Sequence, residues 1–179
     1  MTGVDARTLE QLLNDPAIQN LLEASAPDKS MLERIADVLD DRNRPVSADE
    51  LLGQGLGRVL GLTVRDRQEF HCPLEPAPCT VAAMMAALEQ EVEIAAVRTD
   101  GNGHLVRGRM PGSWAFRNGD LIVEIRRADQ GSTIAAMTEI RNQKFAWGAG
   151  RRRLRRFQDA CGTAWAKVDT ALRRPGRLL

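Results

Sequence analysis

Two segments near the C-terminus set the architecture: DLIVEIRRADQGSTIAAMTEI at residues 120–140 and AGRRRLRRFQDACGTAWAKVDTALR at residues 149–173. The first predicts two antiparallel strands, because apolar and polar residues alternate from Asp120 to Arg126 and a β-compatible run follows from Thr133 to Ile140. Asp129-Gln130-Gly131 separates the two runs, and residues of these types tolerate the backbone of a tight turn. The first segment therefore predicts a hairpin.

The second segment predicts one long helix over about residues 149–173. Its apolar residues recur at intervals of three and four: Leu154, Phe157, Cys161, Ala164, Trp165, Val168, Ala171 and Leu172. A stripe of this length has to be buried, and one face of an antiparallel sheet is the obvious partner. The sequence therefore predicts an α+β fold in which a β-meander packs against a long C-terminal helix.

Further strand candidates lie upstream of the hairpin. Asp100-Gly101-Asn102-Gly103 and Asn118-Gly119 are strong turn signals between short β-compatible runs. Thr80 is predicted to cap a helix that continues to Glu89. The upstream strand candidates are Thr63–Phe70, whose charges suit an edge strand, Val92–Arg98, His104–Met110 and Trp114–Arg117.

The first sixty residues read as helices. Helix starts are predicted at Asp5, at Asp15-Pro16, at Pro27-Asp28 and at the capping box Ser47-Ala48-Asp49-Glu50. We therefore divide the chain into a helical N-terminal segment (1–60), an α+β domain (62–173) and a flexible tail (174–179).

Composition excludes several classes of protein. The chain has 179 residues, of which 43% are hydrophobic and 27% charged, so disordered and collagen-like chains are excluded. No apolar run reaches the ~18 residues of a membrane-spanning helix, and the N-terminus lacks the pattern of a secretory signal. We expect a cytoplasmic protein with no membrane span and with reduced thiols at Cys72, Cys79 and Cys161.

Charge is distributed unevenly along the chain. The net charge is +1, yet residues 1–60 carry −5 (6 basic and 11 acidic side chains) and residues 141–179 carry +9 (11 basic and 2 acidic). Such an asymmetry indicates either a basic interaction surface or neutralisation by the acidic part of the same chain.

The order strand, helix, antiparallel meander and long terminal helix resembles the START-like or polyketide-cyclase-like superfamily, whose fold is called the helix grip. The resemblance covers residues 62–173 and is carried by Asp120–Ile125, the turn at Asp129, the strand Thr133–Ile140 and Phe145–Leu154, a glycine-containing start to an arginine-rich helix. This start of the terminal helix is similar to that of uncharacterised bacterial members of the class. The resemblance implies a concave sheet that holds an apolar ligand, and it implies no catalytic residues.

The candidate ligand-binding residues are arginines at the start of the terminal helix and aromatic residues nearby. Cations at a helix N-terminus oppose the helix dipole, and an anion bound by the guanidinium groups and backbone amides would offset that cost. The alternatives are ion pairs with Asp37, Asp40 and Asp41 for the arginines and core packing for the aromatic residues. The candidates are Arg151, Arg152, Arg155, Arg156, Trp114, Phe116 and Trp147.

The sequence offers no support for a metal, a cofactor or a catalytic constellation. Cys72 and Cys79 lack the second ligand pair of a structural zinc site, and we expect both to be half-buried residues of a proline-rich connection. Gly53-Gln54-Gly55-Leu56-Gly57 follows a predicted helix rather than the strand that a phosphate-binding loop requires. We leave open whether the protein is an enzyme and favour a protein without catalytic activity.

Three hypotheses about function follow. The first is non-catalytic binding of an apolar or amphipathic anionic small molecule, with the arginines meeting its anionic end. The second is an interaction protein, an adaptor or chaperone with a solid core, whose acidic N-terminal helices or basic terminal helix bind a protein partner or a second copy. The third, ranked below the others because aromatic stacking residues are few, is a nucleic-acid-binding regulator.

Overall fold

The computed structural model describes residues 7–27, 63–101, 103–111, 119–140 and 148–173. The helices predicted to follow Pro27-Asp28 and the capping box at Ser47 lie outside these ranges. So do the glycine motif at 53–57, the short strand at 114–117 and the tail at 174–179. The described helices are α1 (Leu9–Leu13), α2 (Pro16–Ser25), α3 (Pro76–Leu88) and α4 (Ala149–Arg173). The described strands are β1 (Val64–Cys72), β2 (Glu93–Asp100), β3 (Gly103–Met110), β4 (Gly119–Arg127) and β5 (Ser132–Ile140).

The sheet has five antiparallel strands in the order β1-β5-β4-β3-β2. Strands β2 to β5 form the predicted meander, and β1 lies at the sheet edge beside β5, as its charges predicted. The β4–β5 register pairs Val123 with Ala136 and Ile125 with Ile134, and these four side chains are buried. The alternating pattern of the sequence thus places one face of the hairpin in the core.

Helix α4 covers β1 and β5, and α3 lies beside it over β2, β3 and β4. The residues of α4 that face the core are Leu154, Phe157, Cys161, Ala164 and Val168, which confirms the predicted stripe. Phe157 meets Phe70 of β1 edge to face, with ring centroids 6.3 Å apart, a geometry that aromatic rings prefer. The fold is therefore α+β, with the sheet packed against a long C-terminal helix and preceded by short N-terminal helices.

Helix α3 is the most deeply buried helix of the described chain, since every residue of it except Pro78 is buried. It begins at Pro76 rather than after Thr80, so the predicted cap is wrong. Proline suits the first position of a helix, because its missing N–H would have no partner there. Thr80 instead donates its hydroxyl hydrogen to the carbonyl of Pro76, 2.8 Å away.

The N-terminal helices pack against α3 and share its core. Leu9, Leu12 and Leu13 of α1 and Ile18 and Leu22 of α2 are buried in the same hydrophobic cluster as the sheet. Helix α1 is capped by a reciprocal pair rather than by Asp5.

The reciprocal pair consists of Thr8 and Gln11. The Gln11 N–H donates to the Thr8 hydroxyl oxygen over 3.3 Å, and the Thr8 N–H donates to the Gln11 side-chain oxygen over 2.9 Å. Asp15 accepts from the Ala17 N–H over 2.9 Å, which confirms Asp15-Pro16 as the start of α2.

Candidate functional site

A cleft of about 380 Å³ opens at the end of the molecule where α4 finishes. Five elements meet there: the start of α1, the start of α3, the turn between β2 and β3, the end of β4, and the last turn of α4. One wall is apolar, and its residues are Leu9, Leu12, Pro76, Ala77, Pro78 and Leu172. Ligand sites in proteins range from about 300 to 1,000 Å³ and are mostly apolar, so the cleft has the size and lining of a small ligand site.

The local sequence explains how α1 positions Leu9 and Leu12 at the cleft. The Thr8–Gln11 capping box fixes the first turn of a helix of only five residues. Leu9 and Leu12 lie three residues apart and therefore share one side of the helix. Both are anchored in the core, with exposed fractions of 4% and 1%, so they form a preformed edge of the cleft.

Two guanidinium groups stand at the cleft. Arg7 pairs with Asp15 over 3.1 Å, and Arg127, at the end of β4, pairs with Glu75 over 2.9 Å. Their side chains are 46% and 64% exposed. A guanidinium has five N–H donors, so one ion pair leaves each arginine with donors that an anion in the cleft can use.

His104 and Asp100 complete the polar rim of the cleft. The His104 ring is half-buried, and its Nδ1 lies 3.0 Å from the Thr99 hydroxyl oxygen. Burial lowers the pKa of His104, and the charge of Asp100 acts in the opposite direction. The imidazole is therefore mostly uncharged at neutral pH, and the charged residues that line the cleft are the two arginines together with Glu75 and Asp100.

The predicted arginines lie at the opposite end of α4 from the cleft. Arg152 and Leu172 are separated by about 30 Å at the helical rise of ~1.5 Å per residue. None of the candidates Arg151, Arg152, Arg155 and Arg156 lines the cleft. All four are exposed, and their role as a ligand site stays a prediction.

Asp66 of β1 lies under the start of α4. Its Oδ1 accepts from Arg151 Nε over 3.0 Å, and the Asp66 side chain is only 14% exposed. Oδ2 of Asp66 occupies the place that a Cβ on Gly150 would take. A carboxylate thus stands beside the helix N-terminus, where negative charge is favourable. Sequence reasoning missed Asp66 because it alternates with Arg65 and Arg67 and looks solvated.

Arg153 points inward, unlike the four candidate arginines. It donates from Nη2 to the carbonyl oxygen of Gln90 over 2.7 Å. Burial lowers the pKa of Arg153, and the neighbouring charge of Glu91 partly opposes that shift. Arg153 therefore ties the start of α4 to the turn that follows α3.

The three aromatic candidates, Trp114, Phe116 and Trp147, fall outside the described ranges, as do Asp37, Asp40 and Asp41, which were proposed to pair with the arginines. In the part of the chain that the structure describes, no group of three His, Cys, Asp or Glu side chains is arranged to hold a metal ion. Over the same ranges, no helix has both the length and the hydropathy needed to cross a membrane.

The cleft residues carry no local signature in the sequence. They range from Arg7 to Leu172 and meet only through tertiary packing. The sequence could have indicated one part of the cleft. The Thr8–Gln11 capping pattern predicts the start of α1 and so places Arg7 and Leu9 at a helix end.

No protein-family model matches the chain, and no curated protein matches it. The solved structures that match include two proteins without a known function. A protein of unknown function from Staphylococcus aureus is 12% identical with a TM-score of 0.41, and the match covers 64% of this chain and 98% of that one. An uncharacterised protein from Rhizobium leguminosarum is 8% identical with a TM-score of 0.37, over 60% of this chain and 97% of that one.

Proposed function

We propose that the protein binds an apolar or amphipathic anionic small molecule in the cleft without transforming it. The observation that carries the proposal is a cleft of about 380 Å³ with an apolar wall and two arginines beside it. An interaction protein with a solid core, the second hypothesis from the sequence, does not need such a cleft. The cavity therefore supports the ligand hypothesis over that alternative.

In this proposal the apolar part of the ligand lies against Leu9, Leu12 and Leu172. Its anionic group is bound by Arg7 and Arg127, because guanidinium groups donate paired hydrogen bonds to carboxylate and phosphate oxygens. These two residues take the role that the sequence suggested for the arginines of α4. The START-like resemblance also implies an apolar ligand, although it places that ligand on a concave sheet.

We assign no catalytic step to the cleft. The Thr8 hydroxyl caps α1, and the His104 ring contacts Thr99. Among the described residues, no hydrogen bond joins the Thr8 hydroxyl to the His104 ring, as a nucleophile and its general base would require.

Native mass spectrometry of the purified protein, compared with its denatured mass, tests the proposal. We expect a non-covalent adduct on the order of a few hundred daltons, the size that a cleft of this volume encloses. An adduct that is lost on denaturation would also supply the molecule for identification.

A pair of variants ties such an adduct to the cleft. Ala77→Phe places a large side chain on the cleft wall, whereas Ala166→Phe places the same side chain on the exposed face of α4. The adduct should disappear from the first variant and persist in the second. A wild-type protein that shows only its apo mass, or an adduct that survives Ala77→Phe, would contradict the proposal.

A further inference from the structure

The five-stranded sheet has two faces with different surroundings. In the described part of the chain, α3 and α4 pack against the strands, and both lie on the side where alternate strand residues are buried. Successive side chains of a strand point to opposite faces of a sheet. The other half of the strand side chains therefore forms a second surface, which we name the open face.

The strand register arranges the middle of the open face in three rows that cross all five strands. Read from β2 to β1, the rows are Arg98, Leu105, Glu124, Ala135 and Glu69; then Ala96, Arg107, Ile122, Met137 and Arg67; then Glu93, Arg109, Asp120, Glu139 and Arg65. These fifteen residues are five arginines, five acidic residues and five apolar residues, so the three rows carry no net charge.

The apolar residues lie at the centre of the open face and the charged residues surround them. Leu105, Ile122 and Met137 belong to the three inner strands, β3, β4 and β5, and each is only half-buried. Arg107 and Asp120 form an ion pair of 2.7 Å beside them. An apolar centre within a polar rim that is rich in arginine is the usual composition of a protein–protein interface.

The charge balance of the three rows determines which kind of partner fits the open face. A nucleic acid is bound through a surplus of basic side chains that neutralise its phosphates, and the three rows have no such surplus. A surface with equal numbers of arginines and carboxylates is complementary to a second copy of itself, because the basic groups of one copy can meet the acidic groups of the other.

We propose that two copies of the chain form a symmetric dimer through their open faces. The cleft is lined by residues of α1, α3 and α4, which lie on the other side of the sheet, so a dimer of this kind leaves both clefts open. The dimer therefore goes beyond the proposed ligand binding and does not depend on it.

The strand order defines the symmetry of the dimer. Strand β4 is the central strand of the sheet, and sheets that pack face to face keep their strands within about 30° of each other. A two-fold axis parallel to β4 places β4 against β4, β3 against β5 and β2 against β1 of the second copy. Each row then faces the same row of the partner.

This symmetry brings matching residues together. Ile122 lies opposite Ile122 of the partner subunit, and Leu105 lies opposite Ala135 of the partner subunit. Arg98 lies opposite Glu69 of the partner subunit, and the two-fold axis repeats this pair. The apolar centres therefore bury each other, and an ion pair forms on each side of them.

Arg98 and Glu69 are both able to form the pair between copies. Arg98 makes no ion pair with another described residue, and the Glu69 side chain is 60% exposed, with its own partner Arg67 at 3.7 Å. The acidic residues of β4 that approach their own copies across the axis are already paired within each chain. Glu124 lies 3.3 Å from Arg126, and Asp120 lies beside Arg107.

The area of the open face is sufficient for a dimer. Five strands at a spacing of about 4.8 Å give a width of about 24 Å, and strands of eight or nine residues extend for about 27 Å. Each copy can therefore bury about 600 Å². The total of about 1,200 Å² reaches the lower end of the range for specific protein–protein interfaces.

Sedimentation equilibrium of the ligand-free, full-length protein tests the dimer. The chain has a mass of 19.7 kDa, and we expect about 39 kDa at about 100 μM protein, since interfaces of standard size have dissociation constants in the micromolar range or below. Ile122→Lys places two like charges at the two-fold axis and should weaken the dimer about a hundredfold or more. Ala166→Lys, on the exposed face of α4, is the matched control and should stay dimeric.

A charge reversal identifies the residues that face each other. Arg98→Glu turns both copies of the attractive pair into repulsive ones and should weaken the dimer about tenfold. Glu69→Arg should do the same. The double variant Arg98→Glu/Glu69→Arg restores opposite charges across the axis and should recover the wild-type dissociation constant. Arg155→Glu, on the exposed side of α4, should have no effect.

Circular dichroism confirms that each variant is folded, and the charge reversals keep the proposal testable if Ile122→Lys is not. A monomeric wild-type protein at the highest concentration would overturn the dimer. A dimer that Arg98→Glu and Ile122→Lys leave unchanged would show that another surface forms it. A double variant as weak as the two single variants would overturn the two-fold arrangement. All of these measurements are made without ligand, so a failed ligand proposal leaves them unchanged.

Discussion

His104 is the residue at the cleft whose charge responds to moderate acidity. Its ring is half-buried and its Nδ1 contacts the Thr99 hydroxyl. Burial lowers the pKa of His104 below its ordinary value of about 6.5. The unfolded chain, in which the ring is hydrated, therefore binds this proton more readily than the folded protein does.

This difference predicts how stability changes with pH. Well above pH 6.5 His104 is neutral in both states and its contribution to the free energy of unfolding is constant. As the pH falls below 6.5 the unfolded state gains the proton first, so the free energy of unfolding decreases until the folded-state pKa is passed. Urea denaturation between pH 7.5 and 5.5 should show this loss in wild type and a smaller loss in His104→Gln.

His71→Gln is the matched control, since it removes an exposed imidazole from the end of β1 and should keep the wild-type dependence. If the free energy of unfolding changes with pH equally in His104→Gln and in wild type, protonation of His104 is not linked to folding.

At the level of the helices and strands, α4 approaches the sheet closely at Gly150. A Cβ there would meet Oδ2 of Asp66 and would lie 2.6 Å from the Thr138 hydroxyl oxygen. Thr138 is fully buried and has little room to yield. The absence of a side chain at residue 150 therefore allows the start of α4 to lie directly on β1 and β5.

Gly150→Ala should accordingly destabilise the protein although alanine favours a helix over glycine by ~1 kcal/mol. We expect a net loss of about 1–2 kcal/mol in the free energy of unfolding, because overpacking a buried contact displaces Asp66 or Thr138. Urea denaturation measures the change.

Gly162→Ala is the control within the same helix. A Cβ at Gly162 would meet only the Trp165 ring, at 3.8 Å, so the intrinsic preference should raise the free energy of unfolding by about 0.5–1 kcal/mol. A Gly150→Ala variant with a higher free energy of unfolding than wild type would contradict the close approach of α4 to the sheet at this residue.

The elements also show where sequence reasoning succeeds. The bounds of α4 agree with the prediction because a stripe of apolar residues over 25 positions is a local and redundant signal. The start of α3 was misplaced because Pro73, Pro76 and Pro78 resemble a stiff linker. Two of these prolines lie in the first turn of α3, which tolerates missing N–H donors.

At the scale of the whole molecule, the cleft was not predictable from the sequence. Its lining comes from α1, α3, the β2–β3 turn, the end of β4 and the end of α4, and no single segment of the sequence shows that these elements meet. The charge asymmetry instead drew attention to Arg151–Arg156, at the other end of α4. An arginine run can be recognised in the sequence because its residues are contiguous. Arg7 and Arg127 are far apart in the sequence, and only tertiary packing places both at one cleft.

In the proposed function, the cleft binds an apolar anion through Arg7 and Arg127. The most direct measurement is a fluorescence titration with 8-anilinonaphthalene-1-sulfonate, an aromatic sulfonate. Three proteins are compared: wild type, Arg127→Gln and Arg155→Gln. The last variant removes an exposed arginine near the far end of α4, and the uncharged N-phenyl-1-naphthylamine reports on the apolar wall alone.

We predict saturable binding of one probe molecule by wild type and Arg155→Gln. Arg127→Gln should bind the sulfonate about three- to tenfold more weakly, as expected for loss of one hydrogen bond from an exposed guanidinium, and should bind the uncharged probe as wild type does. No saturable binding by wild type, or weakening by Arg155→Gln but not by Arg127→Gln, would contradict the account.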